Sequence, residues 1–224
     1  MEDYRLKKEL FRHDLPAVLV LLAMFAAGAL LYPHLPPRVP AHWDIAGRVD
    51  GYASRAVGAF MPPLLAAGVY ILMLVLPLID PRRENYAKFS GVYRILRLCL
   101  VLFLGVVYLV TLGGAMGYPV RVERIMPALV GLLFIVIGNY LPRVRHNYFV
   151  GVRTPWTLAD EEVWRRTHRL AGPLFVAAGL AAVLSSLLGG PASFAVFITA
   201  VIGVSLLSAV YSLLVYRKIH AGRR

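Results

Sequence analysis

Arginine, histidine, glutamate and tryptophan crowd into one stretch of this chain, GNYLPRVRHNYFVGVRTPWTLADEEVWRRTHRLAG, Gly138 to Gly172. Arg143, Arg145, His146 and Arg153 surround Asn147, Tyr148 and Phe149, and no paired carboxylate faces them locally. Planar guanidinium groups without a carboxylate partner suit an anion-binding surface. Further on, Glu161, Glu162 and His168 could serve as acid or base beside a bound anion, which is what an enzyme of lipid or isoprenoid phosphates would need. The plainer reading is an anchored surface, because Trp and Arg are ordinary membrane-interface residues. Residue chemistry alone favours the plainer one.

A second set lies in HLPPRVPAHWDIAGRVDGYASR, where His34, His42, Asp44 and Asp50 could offer mixed nitrogen and oxygen ligands. Against this, Asp44 and Asp50 are good turn residues and Trp43 a good headgroup anchor. Elsewhere the motifs of common chemistry are missing. No two histidines have HExxH spacing, and neither a GxSxG elbow nor a GxxxxGK phosphate loop occurs. Cys99 is the single cysteine, so an intramolecular disulfide and a thiolate metal cluster are excluded. No catalytic residue, metal or cofactor is expected.

Those residues hang on a strongly apolar framework. Of 224 residues 59% are hydrophobic and 16% charged, far from a soluble average. Six segments are long enough to cross a hydrocarbon layer about 30 Å thick: Leu15 to Tyr32, Val57 to Ile79, Leu98 to Tyr118, Ile125 to Leu141, Leu170 to Leu188 and Ala192 to Tyr216. The class expected is an all-α integral membrane protein with six transmembrane helices. The first segment is read as an uncleaved anchor; the small residues Ala27 to Ala29 resemble a signal cleavage site, but the apolar run is long for a signal peptide.

Placing the N-terminus in the cytoplasm puts nineteen of the 24 Lys and Arg residues on the inner side. The positive-inside rule then places both termini in the cytoplasm. The net charge of +12 follows from that bias and from attraction to an anionic inner leaflet, so no direct nucleic-acid binding is expected.

The chain divides into a cytoplasmic tail 1–14, a two-helix module 15–79 with outer loop 33–56, a four-helix domain 98–216 with cytoplasmic loop 142–169, and a tail 217–224. The outer loop, with Pro36, Pro37, Pro40 and the turn signal Asp50-Gly51, is expected to be compact and irregular. Small residues four apart, Ala177/Ala181/Ser185 and Ala178/Ala182/Ser186 in segment five and Ala195/Thr199/Gly203 in segment six, predict a tight hairpin of those helices. No Asp, Glu or His stands at mid-segment, which disfavours an ion-coupled transporter. Arg94 and Arg97, at the edge of segment three, are expected to snorkel to the headgroups. Breaks at Pro62-Pro63 or Gly113-Gly114 could still line a cavity.

From Thr154 onward the loop predicts an interfacial amphipathic helix between the fourth and fifth spans. Thr157 caps it, with Asp160 three residues on, and Glu161–Arg165 and Glu162–Arg166 pair along one face. Trp156, Val163, Trp164 and Leu170 on the other side face bilayer or bundle.

These residues resemble the SdpI family of bacterial membrane immunity proteins, whose pattern GNY..P....NYF.G.RTPWTL...E.W...H...G is carried here by Gly138, Asn139, Tyr140, Pro142, Asn147, Tyr148, Phe149, Gly151, Arg153, Thr154, Pro155, Trp156, Thr157, Leu158, Glu162, Trp164, His168 and Gly172. The outer loop, through Pro40, His42, Trp43, Gly47, Asp50, Gly51 and Tyr52, resembles the N-terminal module of uncharacterised function that often precedes that family's domain. The resemblance implies a multi-pass protein of the bacterial plasma membrane that protects its cell from a secreted toxic peptide. It further implies a signal transducer that holds an ArsR-type repressor at the membrane. On that reading the outer loop, with His42, Trp43, Asp44 and Asp50, meets the peptide. The inner loop, with Asn139, Tyr140, Asn147, Tyr148, Phe149, Arg153, Thr154, Pro155, Trp156, Glu162, Trp164 and His168, meets the partner. The lipid-phosphate enzyme and a small-solute transporter are the competing readings.

Overall fold

The computed structural model describes residues 8–221, and side chains from Asp14 on. The outermost parts of the expected tails, residues 1–7 and 222–224, lie outside the described residues. Eight α-helices and one two-stranded antiparallel sheet are present among the described residues: α1 (Lys8–Leu31), β1 (Arg38–Trp43), β2 (Val49–Ser54), α2 (Arg55–Ile79), α3 (Glu84–Ala87), α4 (Ser90–Ala115), α5 (Val122–Tyr140), α6 (Pro155–Ala159), α7 (Glu161–Ser185) and α8 (Gly190–His220). Six helices, α1, α2, α4, α5, α7 and α8, are long and apolar enough to cross a membrane, matching the six expected segments but each beginning upstream of the expected start. Their outer surfaces are leucine-rich, with Leu30 74% and Leu184 64% exposed. Water would oppose so much exposed apolar surface, whereas acyl chains accept it.

The helices pack as two groups. In one, α1, α2 and α4 share a core of Ala17, Leu21 and Met24 against Ala59, Ala66 and Tyr70 and against Val101, Tyr108 and Leu112. The helix pair of the N-terminal module thus closes its core with α4. In the other group α7 packs along both α5 and α8. Pro62 and Pro63 lie within a continuous α2, and Gly113 and Gly114 within a continuous α4.

The tightest approach in the second group is between α5 and α7. A Cβ added to Gly131 would lie 2.6 Å from the carbonyl oxygen of Gly179, and one on Gly138 would lie 2.6 Å from that of Gly172. Two glycine pairs seven residues apart on each antiparallel helix bring backbone onto backbone, which is how helices associate in lipid. The small-residue reading therefore holds only in part. Ala178, Ala182, Ser185 and Ser186 are buried, but Ala177, Ala195 and Thr199 are exposed and Gly203 meets nothing within 4 Å. α8 turns Ser193, Val204, Ser208, Ser212 and Val215 inward instead.

The outer loop is an ordered hairpin, not irregular backbone. Its strands pair Arg38 with Ser54 and Pro40 with Tyr52, and its turn is closed by Asp44, whose carboxylate accepts from Ala46 N, Arg48 N and Arg48 Nε at 2.8 to 2.9 Å. Asp50-Gly51, expected as the turn, sits inside β2. All the long helices run between this hairpin end of the bundle and an opposite end, the loop end, which carries residues 80–89 and 141–160.

Arg97 corrects a further expectation. It is 1% exposed and does not snorkel; its Nη2 donates to both carboxylate oxygens of Asp14, itself 3% exposed. Tyr70 donates to the same carboxylate at 3.3 Å, and the Arg97 guanidinium lies over the Tyr70 and Tyr93 rings at 5.7 and 5.8 Å. An ion pair so enclosed stands only while both charges and their hydrogen bonds are present. Asp14, assigned by sequence to the tail, thus joins α1 to α4.

Candidate functional site

The polar stretch after α5 forms a folded cap over the loop end, built around side chains that sequence placed on a surface. The chain makes one short turn at Leu141–Arg143 and then reverses direction. Asn147, 0% exposed, holds the reversal: its Oδ1 accepts from Phe149 N and Val150 N at 2.8 and 2.7 Å, and its Nδ2 donates to the Arg145 and Val150 carbonyls at 2.8 and 3.0 Å. A buried amide with both ends satisfied fixes backbone.

Asp80, at the end of α2 and absent from the sequence-based candidates, is the hub that ties this cap to the first helix group. It is 2% exposed. Its carboxylate accepts from Arg82 N at 2.8 Å and from the Tyr86 hydroxyl and Tyr148 N at 2.9 Å each. Burial, and then the Asp80 carboxylate at its hydroxyl, push the Tyr86 phenol far above its ordinary range. Tyr86 also reaches Asn147 Oδ1 at 3.3 Å, and Asn85 Nδ2 donates to the His146 carbonyl at 2.8 Å. Nothing local in the sequence marks Asp80, whose partners are 68 residues away or hidden in what reads as a linker.

Trp164 and His168 form the other support. Both are buried on α7, with ring centroids 4.0 Å apart in a stack. Trp164 Nε1 donates to the Val144 carbonyl at 2.9 Å, and the His146 ring lies 5.0 Å from the indole. His168 faces the Trp164 carbonyl through Nδ1 at 2.9 Å and accepts from Val152 N through Nε2 at 3.1 Å, which assigns the proton to Nδ1. An imidazole with both nitrogens engaged by backbone is a poor acid or base for an outside group. Gly151 is required here: its φ is +120°, and a Cβ would run into His168 Nε2 and lie 3.1 Å from the Trp164 ring. Burial, and then the charge of Arg82, lower the pKa of His146 from its ordinary value.

The helix expected at the interface takes another form. Thr154 caps α6, exchanging hydrogen bonds with Thr157 in a capping box, and Pro155 begins it. Asp160 then caps a new helix, accepting from Glu162 N and Val163 N at 2.8 and 2.9 Å. The charged turns from Glu161 are therefore the start of the fifth spanning helix, α7, rather than a separate amphipathic helix. Their apolar side carries Val163 and Trp164 into the bundle, so Trp164 is no interfacial anchor. Glu162 pairs with both Arg165 and Arg166 at 2.7 and 2.6 Å, and Arg165 turns to it rather than to Glu161.

What remains at the surface is a smaller set. Tyr148 is 38% exposed beneath the Arg82 guanidinium at 5.2 Å, and exposed Arg153 donates to the Tyr148 carbonyl at 3.2 Å. Asn139 is exposed and donates to the Ile135 carbonyl at 2.8 Å; half-buried Tyr140 lies under Arg143 at 5.7 Å; Trp156 and Phe149 are half-buried. At the hairpin end His42 Nδ1 meets Asp50 Oδ1 at 2.5 Å and Asp44 is held by Arg48. Backbone and side-chain hydrogen bonds from Arg48 lower the Asp44 pKa. Trp43 and Ile45 overhang α5 and α8, framing a cavity of about 220 Å³ with Met126 and Phe197. His42, Asp44 and Asp50 thus pair within the hairpin, and among the described residues no three His, Cys, Asp or Glu side chains are grouped to hold a metal ion.

Similarity to known proteins bears on both ends. The SdpI/YfhL protein family model matches residues 143–216, from the cap through α8, and a domain of unknown function, DUF1648, matches residues 19–67, which include the hairpin. The Immunity protein SdpI of Bacillus subtilis (strain 168) is 25% identical over 212 residues, covering 95% of this chain and 100% of that protein. No solved structure matches the chain. With its six apolar helices, the chain is a multi-pass bacterial membrane protein whose cap and last two spanning helices are similar to the SdpI/YfhL family.

Proposed function

We propose that this protein is a non-enzymatic immunity protein that protects its cell from a secreted toxic peptide. The observation that carries the reading is its end-to-end alignment with a protein named for immunity, which spans both the hairpin and the cap. The cap's internal bonding supports the non-enzymatic part: Asp80, Tyr86, Asn147, Trp164 and His168 spend their polar atoms on one another and on backbone. The Lys and Arg bias supports an orientation with both termini and the loop end in the cytoplasm, and hence the hairpin outside.

In that orientation the peptide meets the hairpin, where Ile45 and Tyr52 stand 53% and 58% exposed beside Trp43, His42, Asp44 and Asp50. The exposed face of the cap, with Tyr148, Arg153, Pro155 and Trp156, meets a protein partner, in the finer reading an ArsR-type repressor kept at the membrane. Nucleic acid is not a direct ligand. The test is a deletion strain grown in medium conditioned by its parent. Expected is growth inhibition reversed by the wild-type gene and not by a membrane-inserted Arg153→Ala or Tyr52→Ala variant. Equal growth of deletant and parent, across producing conditions, would refute immunity.

A further inference from the structure

An apolar cavity of about 550 Å³ lies beneath the cap between α4 of the first helix group and α5 and α8 of the second, within the size range of ligand pockets. Leu96 and Leu100 form one wall and Leu133, Ile137 and Phe175 another. Arg153 and Thr154 stand at the cap side. Inside, Ser208 lines the cavity with a hydroxyl that is buried, 1% exposed, and has no hydrogen-bond partner among the described residues. A buried unsatisfied hydroxyl costs stability, so its position in a binding cavity points to a ligand atom that accepts from it.

The depths of these groups define the ligand. Thr154 Oγ1 meets Ser212 Oγ at 2.9 Å, which fixes the level of the cap on α8. Ser208 is one turn, about 6 Å, deeper. A cation at the entrance, a lone hydroxyl a turn below it and an apolar chamber beyond match an anionic phospholipid entered by one chain. We propose that the cavity binds such a lipid from the leaflet at the loop end. The phosphate sits on Arg153, an ester carbonyl accepts from Ser208, and one acyl chain fills the space between α4 and α8. Charge complementarity at Arg153 selects an anionic over a zwitterionic headgroup. Arg153 is shared with the cap face of the immunity reading, but the lipid site is read by lipid retention and stands or falls without any measurement of protection.

The full chain, reconstituted in nanodiscs of equal parts phosphatidylglycerol and phosphatidylcholine and then extracted into mild detergent, is weighed by native mass spectrometry. One retained phosphatidylglycerol per chain is expected. Arg153→Gln should cut the preference over phosphatidylcholine by about tenfold or more, and Ser205→Phe, on an exposed cavity-lining position of α8, should lower retention of both lipids while helicity and monodispersity stay unchanged. Retention of no lipid, equal retention of the two, unaltered preference in Arg153→Gln, undiminished retention in Ser205→Phe, displacement by inorganic phosphate alone, or a copurifying apolar peptide in place of lipid would each overturn the proposal.

Discussion

The two ends of the bundle handle polar residues in opposite ways. At the loop end Asp14, Asp80, Asn147 and His168 are buried and bonded across elements far apart in sequence. At the hairpin end His42, Asp44, Arg48 and Asp50 bond within one turn and its strands and remain largely in solvent. The difference teaches where stability resides and which end is left free for the recognition proposed above. Removing a partner from a buried network strands the rest, whereas an exposed pair gives way to water at little cost. The loop end joins the two helix groups, and the hairpin end is left to be touched.

The contrast can be broken most forcefully at Trp164 and at the buried ion pair. Trp164→Ala should lower the unfolding free energy by about 3–5 kcal/mol, from the lost aromatic volume and stranded Val144 carbonyl, read as thermal unfolding in detergent. Asp14→Asn should cost about 3–5 kcal/mol, because Arg97 keeps its charge in a dry site, and the pair Asp14→Leu with Arg97→Met should recover most of it. If the double variant were no better than the single, the clasp would not be electrostatic. Gly151→Ala follows at about 1–3 kcal/mol for its backbone strain alone, with the collision at His168 adding to it.

Acidity probes the same end more gently. His146 has a folded pKa below its ordinary value of 6.5, so the unfolded chain takes up its proton first. Its contribution is full above about pH 6.5 and is lost as pH falls toward the folded pKa. The wild type should lose thermal stability over that interval, and His146→Phe should show a shallower decline. Smallest of all, Tyr52→Ala at the hairpin should leave stability within about 0.5 kcal/mol while protection falls. A large loss of stability there would erase the distinction between the ends.

The spans are legible in the sequence because an apolar run of membrane length, free of acidic residues, suits few environments but a bilayer, and the cap's importance is legible from its motif. Its interior is not. Trp164 and Arg97 look like surface anchors because periodicity reports a helix face without naming what covers it. Arg97 finds Asp14 across 83 residues, a distance that local pattern cannot bridge. Asp80 escapes notice for the same reason. The hairpin stays hidden because Pro-rich composition masks two strands and because Asp50-Gly51 is a better turn signal than the Asp44–Arg48 turn that forms. The charged run after Asp160 resembles a helix lying on the membrane since its ion pairs and tryptophans fit that pattern; its continuity with α7 depends on Asp160 capping inward.

The glycine contacts between α5 and α7 carry a mechanical implication. Where backbone rests on backbone there are no side chains to rearrange, and sliding by one residue would drive a side chain into the opposing chain. The pair therefore behaves as a single strut with a fixed register. One end of the strut lies under the hairpin at Glu123, against Gly47, and the other carries the cap. A push on the hairpin at Glu123 would tilt the whole strut against α4, opening or narrowing the cavity between them.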